Sequence, residues 1–79
     1  MPRFFFHLHN DLDCPDEEGL ELPDLDAARR HAARSARLTA GETVKDFGHI
    51  IGDHHIDIED EHGTVLETVY FRDAVKIEA

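Results

Sequence analysis

The sequence predicts an α+β fold with the element order β-(β)-α-β-β, in which an antiparallel sheet of three or four strands carries one helix on one face. Three observations lead to this prediction. Apolar residues alternate near both ends of the chain, a stripe of apolar residues at helical spacing lies between them, and a glycine-containing turn separates the last two alternating segments. With 79 residues, the chain is predicted to form a single domain, residues 1–79.

The first strand is predicted over residues 3–9, where apolar and aromatic residues alternate with others. Successive side chains of a strand point to opposite faces of its sheet. The residues predicted to face the core are Phe4, Phe6 and Leu8. Those predicted to face away are Phe5, His7 and His9. A polar loop is predicted over residues 10–19, followed by a short second strand over residues 19–22 that pairs back on the first and ends at Pro23.

The helix is predicted to begin at Asp24, a good N-cap residue, with Asp26 in its first turn. Gly41 weakens the helix, which therefore ends there or continues to Phe47 with Gly48 as its stop. Continuation is favoured because the stripe keeps its phase to the end. The stripe consists of Leu25, Ala28, Ala32, Ala36, Thr39, Thr43 and Phe47. The nearly opposite side of the helix carries three bases, Arg30, Arg34 and Arg37.

Two further strands are predicted over residues 52–60 and 64–71, joined by a hairpin turn at residues 60–63. The last strand alternates imperfectly, because both Leu66 and Val69 look buried, and this predicts a β-bulge or burial on both faces. Residues 72–79 are predicted to be a short irregular or helical end. The predicted core is Phe4, Phe6, Leu8, Leu25, Ala28, Ala32, Ala36, Phe47, Ile56, Ile58, Leu66, Val69 and Phe71.

Composition excludes several classes of protein. The 18 acidic residues against 8 Lys and Arg give a net charge of −10, which argues against nucleic-acid binding because phosphate contacts need clustered positive charge. The sequence has neither an apolar run of about 20 residues, as a membrane span needs, nor a secretory signal. The single Cys14 cannot form an internal disulfide, which is typical of a reducing compartment and favours a cytoplasmic location.

One helix can cover only one face of the sheet, and the other face holds the residues of greatest functional interest. They are Phe5, His7, His9, His55, Asp57 and Tyr70. We expect a non-enzymatic interaction module that forms a homodimer through this face or a strand edge, with Phe5, His7 and Tyr70 as candidate interface residues. The Arg30, Arg34 and Arg37 side chains are expected to be solvated, or to dock on an acidic surface.

The same face is also a candidate site for Zn²⁺ or another divalent transition metal. His7 and His9 share a strand face, and His55 and Asp57 complete four ligands if the third strand lies beside the first. The alternative is that these histidines are solvated or packed in a dimer. His49, His54 and His55 form a second histidine group, which could bind metal or titrate near neutral pH.

The opening Met-Pro-Arg-Phe-Phe-Phe-His, residues 1–7, resembles the start of a group of small bacterial proteins classed as a domain of unknown function. The resemblance continues over residues 16–25, 56–66 and 69–74, with an Arg/Ala-rich helix after the first of these segments. It spans nearly the whole chain, although residues 41–55 depart from the pattern with extra His and Gly. It implies a compact α+β domain and no known activity, so no catalytic residue is carried over.

An enzymatic alternative rests on Pro2, which becomes the N-terminus if the initiator methionine is removed. The small tautomerase family, to which this start is similar, uses an N-terminal proline amine as general base. Arg3, or an arginine of a partner subunit, would then hold the anionic substrate. The extra loop and strand between Arg3 and the helix depart from that family's topology.

Overall fold

Two strands form the centre of an antiparallel sheet in the computed structural model, which describes residues 1–76 and 78. The fourth strand, β4, pairs along its whole length with residues 5–9 of the first strand, β1, and β5 flanks β4 at one edge. The two short strands β2 and β3 both pair with the other side of β1. The elements are β1 (Arg3–His9), β2 (Asp13–Cys14), β3 (Leu20–Glu21), α1 (Leu25–Phe47), β4 (His55–Glu59), β5 (Val65–Tyr70) and α2 (Phe71–Ala74).

The α+β fold with one main helix is therefore confirmed. The sheet has five strands rather than the predicted three or four, because β2 adds one. Asp13 and Cys14 lie in a segment whose polar composition predicts a loop, yet they pair with His9 and Leu8. Two residues are too few to show a hydrophobic alternation, so the sequence carries no signal for this strand. In the described part of the chain, no helix is long and apolar enough to cross a membrane.

Helix α1 begins and ends where its capping residues predict. The Asp24 carboxylate accepts a 2.8 Å hydrogen bond from the Ala27 backbone N–H, which satisfies one of the free donors at the helix start. The helix continues past Gly41 to Phe47 and stops at Gly48, whose φ of 74° is left-handed. The Gly48 N–H donates to the Val44 carbonyl at 2.8 Å, so the predicted continuation is confirmed.

A row of alanines brings α1 close to the sheet. The buried core consists of Phe4, Ala28, Ala32, Ala36, Ala40, Ile56, Ile58 and Phe71. The predicted core residues that pack half-buried around it are Phe6, Leu8, Leu25 and Val69. Ala40, which was not among the predicted core residues, extends the alanine row by one turn of the helix.

For two residues, the prediction that they lie in the core is wrong. Phe47 is 72% exposed, because 23 helical residues extend about 34 Å while the seven-residue β1 covers about 23 Å, so the helix end projects past the sheet. Leu66 is 40% exposed, because Ile58 pairs with Glu67 and Glu59 with Val65, which leaves Leu66 unpaired in a bulge. The predicted bulge is confirmed, and it turns Leu66 out of the core.

The hairpin between β4 and β5 turns at Gly63, whose φ is 79°. Asp60 holds this turn, since its Oδ1 accepts hydrogen bonds from the backbone N–H groups of Thr64 and His62. The bond from Thr64 is the largest influence on the carboxyl, and together these bonds lower the pKa of Asp60 despite partial desolvation. Strand β4 begins at His55 rather than at residue 52, because the residues before it form a turn closed by the His54 N–H and the Ile51 carbonyl.

Strand β5 ends at Tyr70, one residue before its predicted end, and Phe71 instead begins α2. The helical end predicted after residue 71 is present as far as Ala74. Ile77 and Ala79, which belong to the predicted tail, lie outside the described residues.

Candidate metal centre on the open sheet face

Strand pairing places the predicted polar residues in register on the face opposite α1. His7 lies beside Asp57, and His9 lies beside His55. On the other side of β4, Asp57 lies beside Thr68, and His55 lies beside Tyr70. The alternation read from the sequence therefore puts imidazoles and a carboxylate on neighbouring strands.

Three of these side chains form one cluster, the His9–His55–Asp57 cluster. One ligand atom from each lies within 4.8 Å of the others, and all three residues are half-buried. The His9 Nε2 is 3.1 Å from the Asp57 Oδ2, and the His9 and His55 rings stack with centroids 4.9 Å apart. Two imidazoles and one carboxylate thus lie together on the open face.

Neighbouring groups hold each member of the cluster in a ligand-like orientation. The His55 Nδ1 lies 3.0 Å from the Asp53 carbonyl oxygen, which can only accept, so this nitrogen carries a proton and, in the neutral ring, Nε2 has the free lone pair. The His9 Nδ1 is 3.0 Å from the Asp13 Oδ1, and the Thr68 hydroxyl donates to the Asp57 Oδ1 at 2.6 Å. Imidazoles held through Nδ1 by a carbonyl and a carboxylate are the outer-shell arrangement typical of metal sites.

His7 does not join the cluster, because both of its ring nitrogens are engaged elsewhere. Its Nδ1 accepts a 3.0 Å hydrogen bond from the Asp16 backbone N–H, and its Nε2 is 3.3 Å from the Glu59 Oε2. Since a backbone N–H can only donate, the ring proton is on Nε2 and is directed at Glu59. His7 and Glu59 instead line a neighbouring cavity of about 350 Å³, together with His9, Asp13 and Pro15.

Asp16 is a structural residue that sequence reasoning missed. Its carboxylate accepts backbone hydrogen bonds from Phe6 at 3.1 Å, Glu18 at 3.1 Å and Gly19 at 3.0 Å. The Phe6 N–H faces the sheet edge between the two short strands, so the carboxylate replaces a strand partner there. Burial on its own would raise the pKa of Asp16, but the backbone bonds from Gly19, Phe6 and Glu18, with His7 nearby, outweigh it and lower the pKa. An Asp followed three residues later by Gly was the available signal.

The candidate interface residues Phe5, His7 and Tyr70 are each half-buried against their own chain. Gly19 lies so close to Phe5 that an added Cβ would be 2.9 Å from the Phe5 Cε1. The Tyr70 ring is 5.2 Å from the His55 ring, and the Arg72 guanidinium is 4.4 Å from the Tyr70 ring centroid. Their role in an interface stays a prediction.

The second histidine group is divided between different surfaces. His55 belongs to the cluster, whereas His54, its neighbour along the chain, packs edge-on against Phe71 with centroids 5.8 Å apart. The His54 Nε2 is 3.5 Å from the Asp11 Oδ1, and His49 is exposed beside Phe47. His54 lies in the turn before β4 and packs on Phe71, so it is not part of the His9–His55–Asp57 cluster.

The remaining candidate residues lie at the surface. Pro2 is exposed, and its carbonyl accepts from the Leu22 N–H at 3.0 Å. The Arg3 guanidinium donates to the Glu18 carbonyl at 2.8 Å and is 3.2 Å from the Glu21 carboxylate, so it is already paired with protein groups. The three candidate bases of α1, Arg30, Arg34 and Arg37, are exposed.

Comparison with known proteins identifies the family to which the chain belongs. A domain of unknown function, DUF6894, matches residues 3–72, so the chain belongs to this family. Membership in an uncharacterised domain family, expected from the sequence, is thereby confirmed. Among curated proteins and solved structures, none matches the chain.

Proposed function

We propose that this protein is a transition-metal-binding domain whose ion is held by His9, His55 and Asp57. The observation that carries the proposal is the convergence of three donor atoms within 4.8 Å, on the face of the sheet that α1 leaves uncovered. Neutral imidazole and carboxylate are the ligands of Zn²⁺ and related divalent ions, whereas Ca²⁺ and Mg²⁺ prefer oxygen donors alone.

The spacing of the donors suits such an ion with small side-chain rotations. Tetrahedral Zn²⁺ with bonds of about 2.0–2.1 Å separates its ligand atoms by roughly 3.3 Å. The 3.1 Å between the His9 Nε2 and the Asp57 Oδ2 is already close to that value. Since no pair exceeds 4.8 Å, the remaining donor needs to move by about 1.5 Å or less, which a rotation about χ1 or χ2 supplies.

Charge also favours a divalent cation. Two neutral imidazoles and the Asp57 carboxylate leave a bound M²⁺ with one uncompensated positive charge. The Asp13 carboxylate, 3.0 Å from the His9 Nδ1, lies where it can balance that charge through the ring. Three protein ligands leave a fourth position for water or another small ligand.

The test is calorimetric titration of tag-free protein with Zn²⁺ at neutral pH, since Zn²⁺ binds the deprotonated form of imidazole. We expect one ion per chain, and a free energy of unfolding raised by about 2.7 kcal/mol when free Zn²⁺ is 100 times its Kd. His9→Ala and His55→Ala should abolish this binding, and Asp13→Ala should weaken it roughly 10- to 100-fold as an outer-shell loss.

The matched control is His62→Ala, because His62 is an exposed histidine of the β4–β5 hairpin far from the cluster along the strands. Its removal should leave both the stoichiometry and the affinity unchanged. Absence of saturable Zn²⁺ binding, or equal affinity of the His9→Ala and His62→Ala variants, would contradict the proposal.

Self-association is a second proposal, supported by the edge strand β5. Val65 and Leu66 are 51% and 40% exposed on this edge, and an uncovered edge carrying apolar residues is a template for pairing with a second copy. Sedimentation at micromolar concentrations should give a dimer, and Leu66→Lys should dissociate it if the edge is used. Phe5→Asp should dissociate the dimer if the open face is used. A wild-type protein that is monomeric at every concentration would exclude both interfaces.

A further inference from the structure

A groove lined by apolar and basic residues lies between the C-terminal half of α1 and the segment after β5. It encloses about 430 Å³, within the range of about 300–1,000 Å³ that is typical of ligand pockets. Its apolar lining includes Ala40, Val44, Ile50 and Val75. A smaller cavity of about 220 Å³ shares Ile50 and Val75 with it, so the apolar surface continues towards β5.

Among the described residues, the charged side chains that line these two cavities are all bases. Arg37 and Lys76 line the larger one and Arg72 the smaller one, in a chain where acidic residues outnumber Lys and Arg by 18 to 8. Arg72 already pairs with Asp53, and the Lys76 Nζ is 3.6 Å from the Glu78 carboxylate. Arg37, which also lines the larger cavity, is exposed to solvent.

Gly41 opens the side of the groove formed by the helix. Glycine is disfavoured in a helix interior, and a Cβ built at Gly41 would meet nothing within 4 Å. Neither the backbone conformation nor the packing of the described residues therefore requires glycine at this position. Its effect is to leave room beside the helix backbone, where an alanine or leucine side chain would occupy the groove.

We propose that this groove binds a fatty-acid carboxylate, with the acyl chain along Val44, Ile50 and Val75 and the carboxylate near Arg37 and Lys76. Apolar walls with bases at the rim complement an anionic amphiphile and disfavour a cationic one. The open-face cavity has the opposite character, since it is lined by Asp13 and Glu59. The proposal is independent of the metal centre, which lies on the other face of the sheet.

The test is titration with sodium dodecanoate below its critical micelle concentration, followed by calorimetry and by amide chemical shifts. We expect one site per chain, and affinity that rises about fourfold for each methylene added between octanoate and dodecanoate. Dodecyltrimethylammonium, which has the same tail and a cationic head, should bind at least tenfold more weakly. Shift changes should be confined to the helix around Gly41 and to residues near Ile50 and Val75.

Two variants locate the site. Gly41→Leu fills the groove while improving helix propensity, so it should fold and lose dodecanoate binding. Arg37→Glu should weaken binding roughly fivefold or more, whereas Arg34→Glu, the same change one turn earlier on α1 and outside the groove, should not. Binding unaffected by Gly41→Leu, equal effects of the two Arg→Glu variants, equal binding of the cationic amphiphile, or no binding of dodecanoate would each overturn the proposal.

Discussion

Replacing Asp16 with alanine tests the idea that one carboxylate closes the sheet edge. The variant leaves the backbone N–H groups of Phe6, Glu18 and Gly19 without their acceptor. A hydrogen bond to a charged group contributes about 1.5–3 kcal/mol, and water can replace the acceptor for the two loop donors more readily than for Phe6. We therefore expect a loss of about 2–4 kcal/mol from a total free energy of unfolding of about 4–12 kcal/mol for a chain of this length.

Urea denaturation followed by far-UV circular dichroism measures this loss, and amide exchange shows where it arises. The matched control is Glu17→Ala, which removes the same charge from an exposed position of the same loop. The Phe6 amide should lose protection in the Asp16→Ala variant alone. If the two variants differ in unfolding free energy by less than about 0.5 kcal/mol, the proposed role of Asp16 is wrong.

The pH dependence of the same variant has a defined sign. Because the pKa of Asp16 is lower in the folded chain than in the unfolded one, its ionised form stabilises the fold. That contribution is fully present above the unfolded pKa of about 3.9 and disappears as the pH falls through the folded value. The difference between wild type and Asp16→Ala should thus be constant from pH 5 to 7 and shrink below about pH 4. A difference that grows on acidification would refute the assignment.

Three further substitutions test single elements by urea denaturation. Gly19→Ala should cost about 2 kcal/mol or more, because φ is 70° and the new Cβ would lie 2.9 Å from the Phe4 carbonyl oxygen; a neutral result would contradict that geometry. Asp24→Ala should cost about 1 kcal/mol through loss of the helix cap, and a change under about 0.3 kcal/mol would show that the cap is dispensable. Phe71→Ala, at a position 1% exposed, should cost about 3–5 kcal/mol, and a smaller loss would place Phe71 outside the core.

Periodicity and capping predicted those parts of the fold that depend on residues close together in the sequence. Alternation in β1 and β4 assigned each side chain to its face, and the Asp24 and Gly48 caps bounded α1. The predicted burial of Phe47 and Leu66 was wrong because it depends on elements other than the helix or the alternating segment in which each residue lies. The helix stripe carries no information on the length of the sheet beneath it, and the alternation of β5 does not show which residue its bulge leaves unpaired.

The sequence predicted which face of the sheet holds the candidate metal centre and which residue types form it, but not which of the histidines belong to it. Strand alternation placed four possible ligands on one face, but register alone leaves His7 and His9 equivalent. What separates them is the loop after β1: the Asp16 backbone engages the His7 Nδ1, and the Asp13 side chain engages the His9 Nδ1. Loop conformation depends on contacts distant in sequence, so no local pattern could assign these partners.

The loop over residues 10–19 therefore links stability to the proposed site. It contributes Asp16 to the sheet edge and Asp13 to the imidazole of His9, while its composition alone predicts only a solvated acidic segment. If the site binds metal, the ion stabilises the arrangement in which Asp13 contacts His9, and loss of the Asp16 anchor should weaken metal binding without removing a ligand. Comparing Zn²⁺ affinity in Asp16→Ala and Glu17→Ala separates this coupling from a general effect of charge, since both variants remove one acid from the same loop.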